Sequence, residues 1–175
     1  MTTFHVHIPV IETERLRLRA PRLSDLDAYA EYGASDRSRI VGGPFDRGHS
    51  FERLAALLGH WQLRGFGRWM IADKETDAPL GVGGLMDPDD WPEPEIAWTV
   101  FGHAEGKGIA YEAALATRAY AYDTLGWTRV VSCISPDNTR SLALARRMGA
   151  VYESDYEHET IGTLQVWRHL GPEEL

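Results

Sequence analysis

The clearest chemical signal in the sequence is a glycine–lysine–glycine tripeptide, Gly106-Lys107-Gly108. It follows an apolar run, residues 95–101, and precedes an alanine-rich run that begins at Ile109. Glycine lets the backbone approach a ligand closely. The free N–H groups and the dipole at a helix N-terminus favour an anion such as a pyrophosphate. The tripeptide therefore predicts an anion-binding loop at the start of a helix, with an ordinary tight turn as the alternative.

The loop matches neither of the two common nucleotide motifs. No Gly-Lys-Ser or Gly-Lys-Thr follows a four-residue spacer, so the Walker pattern is absent. No third glycine follows between Ile109 and Ala113, and the motif lies late in the chain, unlike a dinucleotide fingerprint. The predicted phosphate ligand is therefore not one that is bound through either of these motifs.

A second segment with chemical potential begins about thirty residues later. The β-branched run at residues 129–134 is followed by a polar turn and a short helix that ends at Gly149. The spacing of Asn138, Ser141, Ala145 and Met148 by three or four residues places them on one helix face.

Together these segments resemble the GNAT superfamily of acyl-CoA-dependent N-acetyltransferases, and most closely its Rim-type branch. The matching pieces occur in the family's order and cover nearly the whole chain: residues 14–19 (Glu-Arg-Leu-Arg-Leu-Arg), residues 106–110 with Glu112-Ala113, and Asn138-x-x-Ser141 ending in residues 148–150. One departure is His103, where many members carry Arg or Gln.

The resemblance implies an acetyl-CoA site without a metal. The backbone of the strand before the loop would pair with the pantetheine arm, the loop would hold the pyrophosphate, and Asn138 would bind near the thiol, unless Asn138 is only a helix cap. The predicted cofactor-binding residues are Trp98, Thr99, Val100, His103, Gly106, Lys107, Gly108, Ile109, Ala110 and Asn138.

Two catalytic roles remain to be filled. Glu95 is the first candidate for the base that deprotonates the amine, and Asp87, Asp89 and Glu153 are alternatives. Ser141 is the candidate donor to the leaving thiolate, because the tyrosine position of many family members is Ala145 here. The acidic segment 87–95, which also contains Trp91, would bind a cationic amine or form an ordinary surface loop.

Hydrophobic periodicity predicts a mixed α/β (α+β) fold with a mostly antiparallel sheet of about six to seven strands and about four helices. Strands are expected at residues 13–19, 68–73, 79–86, 95–101, 129–134, 151–157 and 164–170. Helices are expected at 24–32, 50–63 and 107–125, and after Asn138. A length of 175 residues predicts one domain, 1–175.

The net charge, the apolar segments and the cysteine content disfavour several classes of function. A net charge of −8 disfavours nucleic acid and anionic membranes as partners. No membrane-spanning or signal segment is expected, and the single cysteine, Cys133, is expected to be buried and fits a reducing, cytoplasmic environment. A homodimer is left open, and the scattered histidines indicate no metal site.

The sequence thus predicts an acetyl-CoA-dependent N-acetyltransferase that works by direct attack of the amine in a ternary complex. The acceptor would be a small-molecule amine or a protein N-terminal amine. The alternative is a non-catalytic module that binds or senses acyl-CoA on the same fold.

Overall fold

A computed structural model describes residues 5–175, and an eight-stranded sheet forms its centre. The strand order across the sheet is β1-β2-β3-β4-β5-β6-β8-β7. The strands are β1 Ile11–Glu12, β2 Leu16–Arg19, β3 Arg68–Asp73, β4 Pro79–Met86, β5 Glu95–Val100, β6 Val131–Ile134, β7 Val151–His158 and β8 Gly162–Arg168.

Four α-helices accompany the sheet: α1 Leu26–Ala34, α2 Arg47–Arg64, α3 Ile109–Ala119 and α4 Thr139–Arg147. A π-helical turn, Tyr120–Thr124, extends α3, and short 3₁₀ turns precede α1, α2 and α3. None of the helices in residues 5–175 has both the length and the apolar character needed to cross a membrane.

One strand pair differs from the rest of the sheet. All neighbouring strands run antiparallel except β5 and β6, which are parallel. These two pair at a single position, Glu95 with Val131, at the start of each strand. Beyond it no further pairs form, so the sheet opens into a cleft between the carboxyl halves of β5 and β6.

The two faces of the sheet carry separate parts of the core. Alternate residues of a strand point to opposite faces. On one face α3 covers the inward side chains of β2 and β3, among them Leu18 and Ile71. On the other, α1 and α2 pack on Met70, Val82 and Phe101.

The predicted fold class is confirmed, with eight strands where six to seven were expected. The expected first strand, 13–19, begins only at Leu16, because the Thr13 Oγ1 atom accepts a hydrogen bond from the Leu16 N–H at 3.0 Å and holds a turn. The short strand β1, which precedes this turn, was not expected. The expected helix 107–125 begins only at Ile109, after left-handed Gly108, and gives way to the π turn after Ala119.

Two expected helix starts were also wrong. Ser24 does not cap α1, which begins at Leu26 after a 3₁₀ turn. The next helix starts at Arg47 instead of residue 50, because the Asp46 carboxylate accepts a hydrogen bond from the His49 N–H at 2.8 Å. A carboxylate in this position satisfies an unpaired N–H at the helix N-terminus.

Candidate active site

The cleft between β5 and β6 lies where the predicted site residues meet. Because the strands separate after Glu95, the backbone of Trp98, Thr99 and Val100 has no partner strand on the side of β6. On the other side, the same residues pair with Gly83, Val82 and Gly81 of β4. An extended chain can add to such a free strand edge through main-chain hydrogen bonds.

The glycine loop follows directly at the end of β5. Gly106 and Gly108 have φ angles of +71° and +77°, in the left-handed region that side chains disfavour. A Cβ atom at Gly106 would meet no atom within 4 Å, and both glycines are exposed. Left-handed glycines and the start of α3 together present backbone N–H groups to solvent, as an anion cradle requires.

A network from the N-terminal part of the chain holds this loop. Arg15 donates to the Lys107 carbonyl at 2.8 Å and, through Nε, to the Glu112 carboxylate at 2.7 Å. The same carboxylate accepts from Thr13 Oγ1 at 2.5 Å and from the Arg15 N–H at 2.9 Å. Despite partial burial, these donors hold the pKa of Glu112 below its ordinary value. Glu112 therefore remains a charged anchor for the loop.

Positive side chains flank the loop on its other side. Glu105, next to Gly106, forms ion pairs with Arg37 and Arg140, the latter at 2.6 Å. Lys107 donates to the His103 carbonyl at 3.0 Å, while the His103 side chain is exposed and its ring lies 6.3 Å from that of Phe101.

Asn138 and Ser141 stand at the opposite wall of the cleft, at the start of α4. The Asn138 side-chain oxygen accepts from the Ser141 N–H at 3.1 Å, so Asn138 caps the helix. The Ser141 hydroxyl of α4 accepts a hydrogen bond at 3.1 Å from the indole N–H of Trp98 on β5. Trp98 and Ser141, predicted separately, are thus in direct contact, and the hydroxyl proton of Ser141 is still available for donation.

Glu95 lies at the point where the cleft closes. Its side chain is 5 % exposed and accepts a hydrogen bond from the Trp91 indole. Burial raises the pKa of the Glu95 carboxyl to about 7, although the Trp91 indole and the Cys133 N–H act in the opposite direction. A carboxyl with this pKa can both accept and release a proton near neutral pH.

The alternative acids lie in a different environment. Asp87 and Asp89 pair with Arg64 at 3.6 and 3.0 Å, and Glu153 binds Arg168 at 2.7 Å. The Arg168 hydrogen bond lowers the pKa of Glu153, which makes it a weaker base. In segment 87–95 the exposed acids are therefore already paired, as expected for an ordinary surface loop.

Cys133, expected to be buried, is only partly so. Burial raises the pKa of its thiol, which disfavours the nucleophilic thiolate. Residues 5–175 contain no group of three or more His, Cys, Asp or Glu side chains that could hold a metal ion.

Comparison with known proteins identifies the family. Residues 15–151 match the model of the acetyltransferase (GNAT) domain. The chain belongs to the GNAT acetyltransferase family.

Relatives of known structure and sequence agree with this assignment. An acetyltransferase from Agrobacterium tumefaciens is 35% identical and superimposes with a TM-score of 0.84 over 97% of this chain and 98% of its own. The uncharacterized N-acetyltransferase p20 of Bacillus licheniformis is 28% identical over 83% of this chain and 85% of its own. RimL, a ribosomal L7/L12 α-N-protein acetyltransferase in complex with coenzyme A, shares the fold at 17% identity, with a TM-score of 0.72 over 93% of this chain and 98% of its own. The predicted family and enzyme class, an N-acetyltransferase, are confirmed.

Sequence reasoning missed one part of this GNAT acetyltransferase, a small pocket of about 20 Å³ between α1, α2 and the sheet. Its lining includes Tyr29, Tyr32, Phe45, Arg53, Arg68 and Thr99. These residues come from four separate elements and the loop before α2, so no local spacing links them. The one local signal was Arg68, which directly precedes the apolar residues 69–72 of β3.

Proposed function

We propose that the protein transfers an acetyl group from acetyl-CoA to a primary amine by direct attack in a ternary complex. The observation that carries this proposal is the single pairing of β5 with β6 at Glu95. It leaves a free strand edge that leads from a buried carboxyl with a pKa of about 7 to an anion cradle. These are the parts needed to hold a thioester and to deprotonate an amine beside it.

The binding roles follow from the geometry of the loop and the free edge. The backbone N–H groups of residues 106–110 would bind the pyrophosphate, and the free edge at Trp98, Thr99 and Val100 would pair with the pantetheine arm. Both contacts are made by the backbone, so they depend on conformation more than on side-chain identity. The complex of RimL, which has the same fold, with coenzyme A supports this placement.

The chemical roles would fall to Glu95 and Ser141. The amine gives its proton to Glu95, directly or through a water molecule, and the nitrogen attacks the thioester carbonyl. As the carbon–sulfur bond breaks, the Ser141 hydroxyl donates a hydrogen bond to the developing thiolate, the stage at which stabilisation accelerates the step. The acceptor would be a small-molecule amine or a protein N-terminal amine. The second possibility agrees with RimL, which is an α-N-protein acetyltransferase.

Incubation with acetyl-CoA and a panel of amines tests the proposal, with release of free thiol and mass spectrometry of the acceptors as readouts. We expect amine-dependent thiol release with a matching gain of one acetyl group. Tight binding of acetyl-CoA without acetylation of any amine would instead favour the non-catalytic acyl-CoA-binding module.

A further inference from the structure

The pocket between α1, α2 and the sheet contains two arginines that have no acidic partner. In the part of the chain that the structure describes, neither the Arg53 nor the Arg68 guanidinium lies within 4 Å of a carboxylate oxygen. Arg53 lies over the Phe45 ring, 4.4 Å from its centroid, and Arg68 makes no side-chain hydrogen bond. By contrast, the neighbouring Arg47 and Arg64 of α2 both pair with aspartates.

Two unpaired positive charges in a partly buried pocket are costly. Both arginines are partly shielded from water, and burial, together with the positive charge of Arg53, lowers the pKa of Arg68. Charges taken out of water are normally compensated by a partner of opposite sign. Arginine does not give up its proton at physiological pH, so an anion in the pocket would compensate these charges better than water does.

Glu95 does not supply that anion. It is the acid whose charge acts on Arg68, yet it lies beyond ion-pair distance, and with a pKa of about 7 it is only partly ionised at neutral pH. The pocket is therefore arranged to receive a negative group from outside the described chain.

The strand register places the pocket beside the reaction centre. Arg68 is paired with Gly84 and Gly84 with Ala97, so Arg68 and Ala97 lie two strands apart, about 10 Å between their backbones. Glu95 and Thr99 flank Ala97 on the same face of β5, each about 7 Å along the strand. The pocket and the Glu95 side chain therefore lie on the same face of the sheet.

We propose that the acceptor amine also carries a carboxylate, which Arg53 and Arg68 bind while Glu95 accepts the proton of the amine. This proposal rests on the acetyltransferase function above and specifies its substrate class. An arginine guanidinium matches a carboxylate in shape and can form two parallel hydrogen bonds with it. The anion has two sources, a free amino acid or an acidic side chain near a peptide N-terminus.

Matched acceptors provide the first test. We expect α-amino acids to have at least a 10-fold higher kcat/KM than the corresponding amino-acid amides, or peptides that begin with Asp or Glu to exceed those that begin with Asn or Gln by the same factor. The first result assigns the anion to a free amino acid and the second to a protein. Equal kcat/KM within both matched pairs, or a preference for cationic amines, would overturn the proposal while the transferase function stands.

Matched variants provide the second test. Arg68→Gln and Arg53→Gln should each raise the KM for the carboxylate acceptor roughly 10- to 100-fold, since a hydrogen bond to a charged group is lost. The KM for acetyl-CoA should not change. Arg47→Gln removes the same charge from α2 outside the pocket and should behave like the wild type.

Two further measurements keep the proposal testable if a variant misfolds or if the enzyme shows no activity. An unchanged acetyl-CoA KM shows that Arg68→Gln is folded, and Arg68→Lys should recover part of the lost affinity because it keeps the charge. If no amine is acetylated, calorimetric titration with the same amino acids still decides the question. Binding that Arg68→Gln abolishes supports the pocket; binding of amides as tightly as acids contradicts it.

Discussion

The two sides of the β5–β6 cleft are built on different physical principles. The cofactor side relies on backbone: left-handed glycines, a free strand edge and a helix N-terminus, held from outside by Arg15 and Glu112. The proposed acceptor side relies on side chains, namely the buried Glu95 with a raised pKa and two partly buried arginines that lack an acidic partner among residues 5–175. Backbone contacts recognise what all acyl-CoA molecules share, whereas side chains can differ from one acetyltransferase to another. This difference separates the two halves of the reaction experimentally. Substitutions on the cofactor side should change the KM for acetyl-CoA, whereas substitutions on the acceptor side should change kcat and the KM for the amine.

The largest expected effect is that of Glu95→Gln, which removes the base but nearly keeps its shape. We expect kcat to fall about 10²- to 10³-fold, with little change in the acetyl-CoA KM. The wild-type rate should rise with pH through about 7 as Glu95 loses its proton, and the variant should lack this inflection. A pH–rate profile of the variant that retains the inflection would assign the base elsewhere.

The buried acid of the acceptor side should also be visible in stability. Because burial raises the pKa of Glu95 from 4.5 to about 7, the folded protein binds this proton more tightly than the unfolded chain. Stability is therefore lost as the pH rises between these values, by an amount corresponding to roughly 3 kcal/mol for this group alone. Glu95→Gln should gain stability relative to the wild type between pH 4.5 and 7, as measured by urea unfolding at each pH.

A second buried group provides an internal check on that experiment. Burial lowers the pKa of His169 to about 4, so its contribution to stability runs the other way and is lost as the pH falls below 6.5. The wild type and Glu95→Gln share His169, so it cancels from their difference. If the difference in unfolding free energy between the wild type and Glu95→Gln did not change with pH, burial would not hold Glu95 in its neutral form.

On the cofactor side, Gly108→Val should raise the acetyl-CoA KM roughly 30-fold. A branched residue at φ +77° is strained, and its Cβ would lie 3.3 Å from an Arg15 guanidinium nitrogen. Gly126→Val is the matched control, because Gly126 also has a positive φ of +70° but lies after the π turn, away from the loop. His103→Ala should have a smaller effect than Gly108→Val. A similar rise in the acetyl-CoA KM for Gly108→Val, Gly126→Val and His103→Ala would count against binding of the pyrophosphate by the loop backbone.

The smallest expected effect is that of Ser141→Ala, a drop in kcat of about 10-fold with acetyl-CoA binding nearly intact. The loss would remove a hydrogen bond to the developing thiolate. Trp98→Phe is the informative control, since it deletes the indole donor to Ser141 but leaves the hydroxyl. If Ser141→Ala and Trp98→Phe lower kcat by the same factor, the hydrogen bond between Trp98 and Ser141 supports activity, and proton donation by Ser141 does not.

The local geometry around the glycine loop could be predicted from the sequence better than the arginine pocket, for a physical reason. The loop, its helix and the Asn138 cap are local features in which neighbouring residues interact, and local spacing reveals them. The pocket joins Tyr29 of α1 to Thr99 of β5, which meet only after the sheet has formed. The opening between β5 and β6 is likewise a matter of tertiary pairing, and periodicity within either strand does not predict it.

Ranking the acids also required the folded structure. Glu95, Asp87 and Glu153 are the same kind of group in the sequence, and composition gives no order among them. Their difference comes from partners distant in the chain: Arg64 and Arg168 pair with the latter two, whereas burial isolates Glu95.

The brace between Arg15 and the glycine loop has a consequence for how the chain folds. Its hydrogen bonds join residues separated by 92 and 97 positions, and contacts of such long sequence separation form slowly because a large loop must first close. Helix α3 can form by itself from local interactions, but the loop reaches its braced geometry only when β2 has docked beside β3. The proposed ability to bind acyl-CoA would therefore arise late during folding, and recovery of binding after denaturation would measure complete assembly of the sheet.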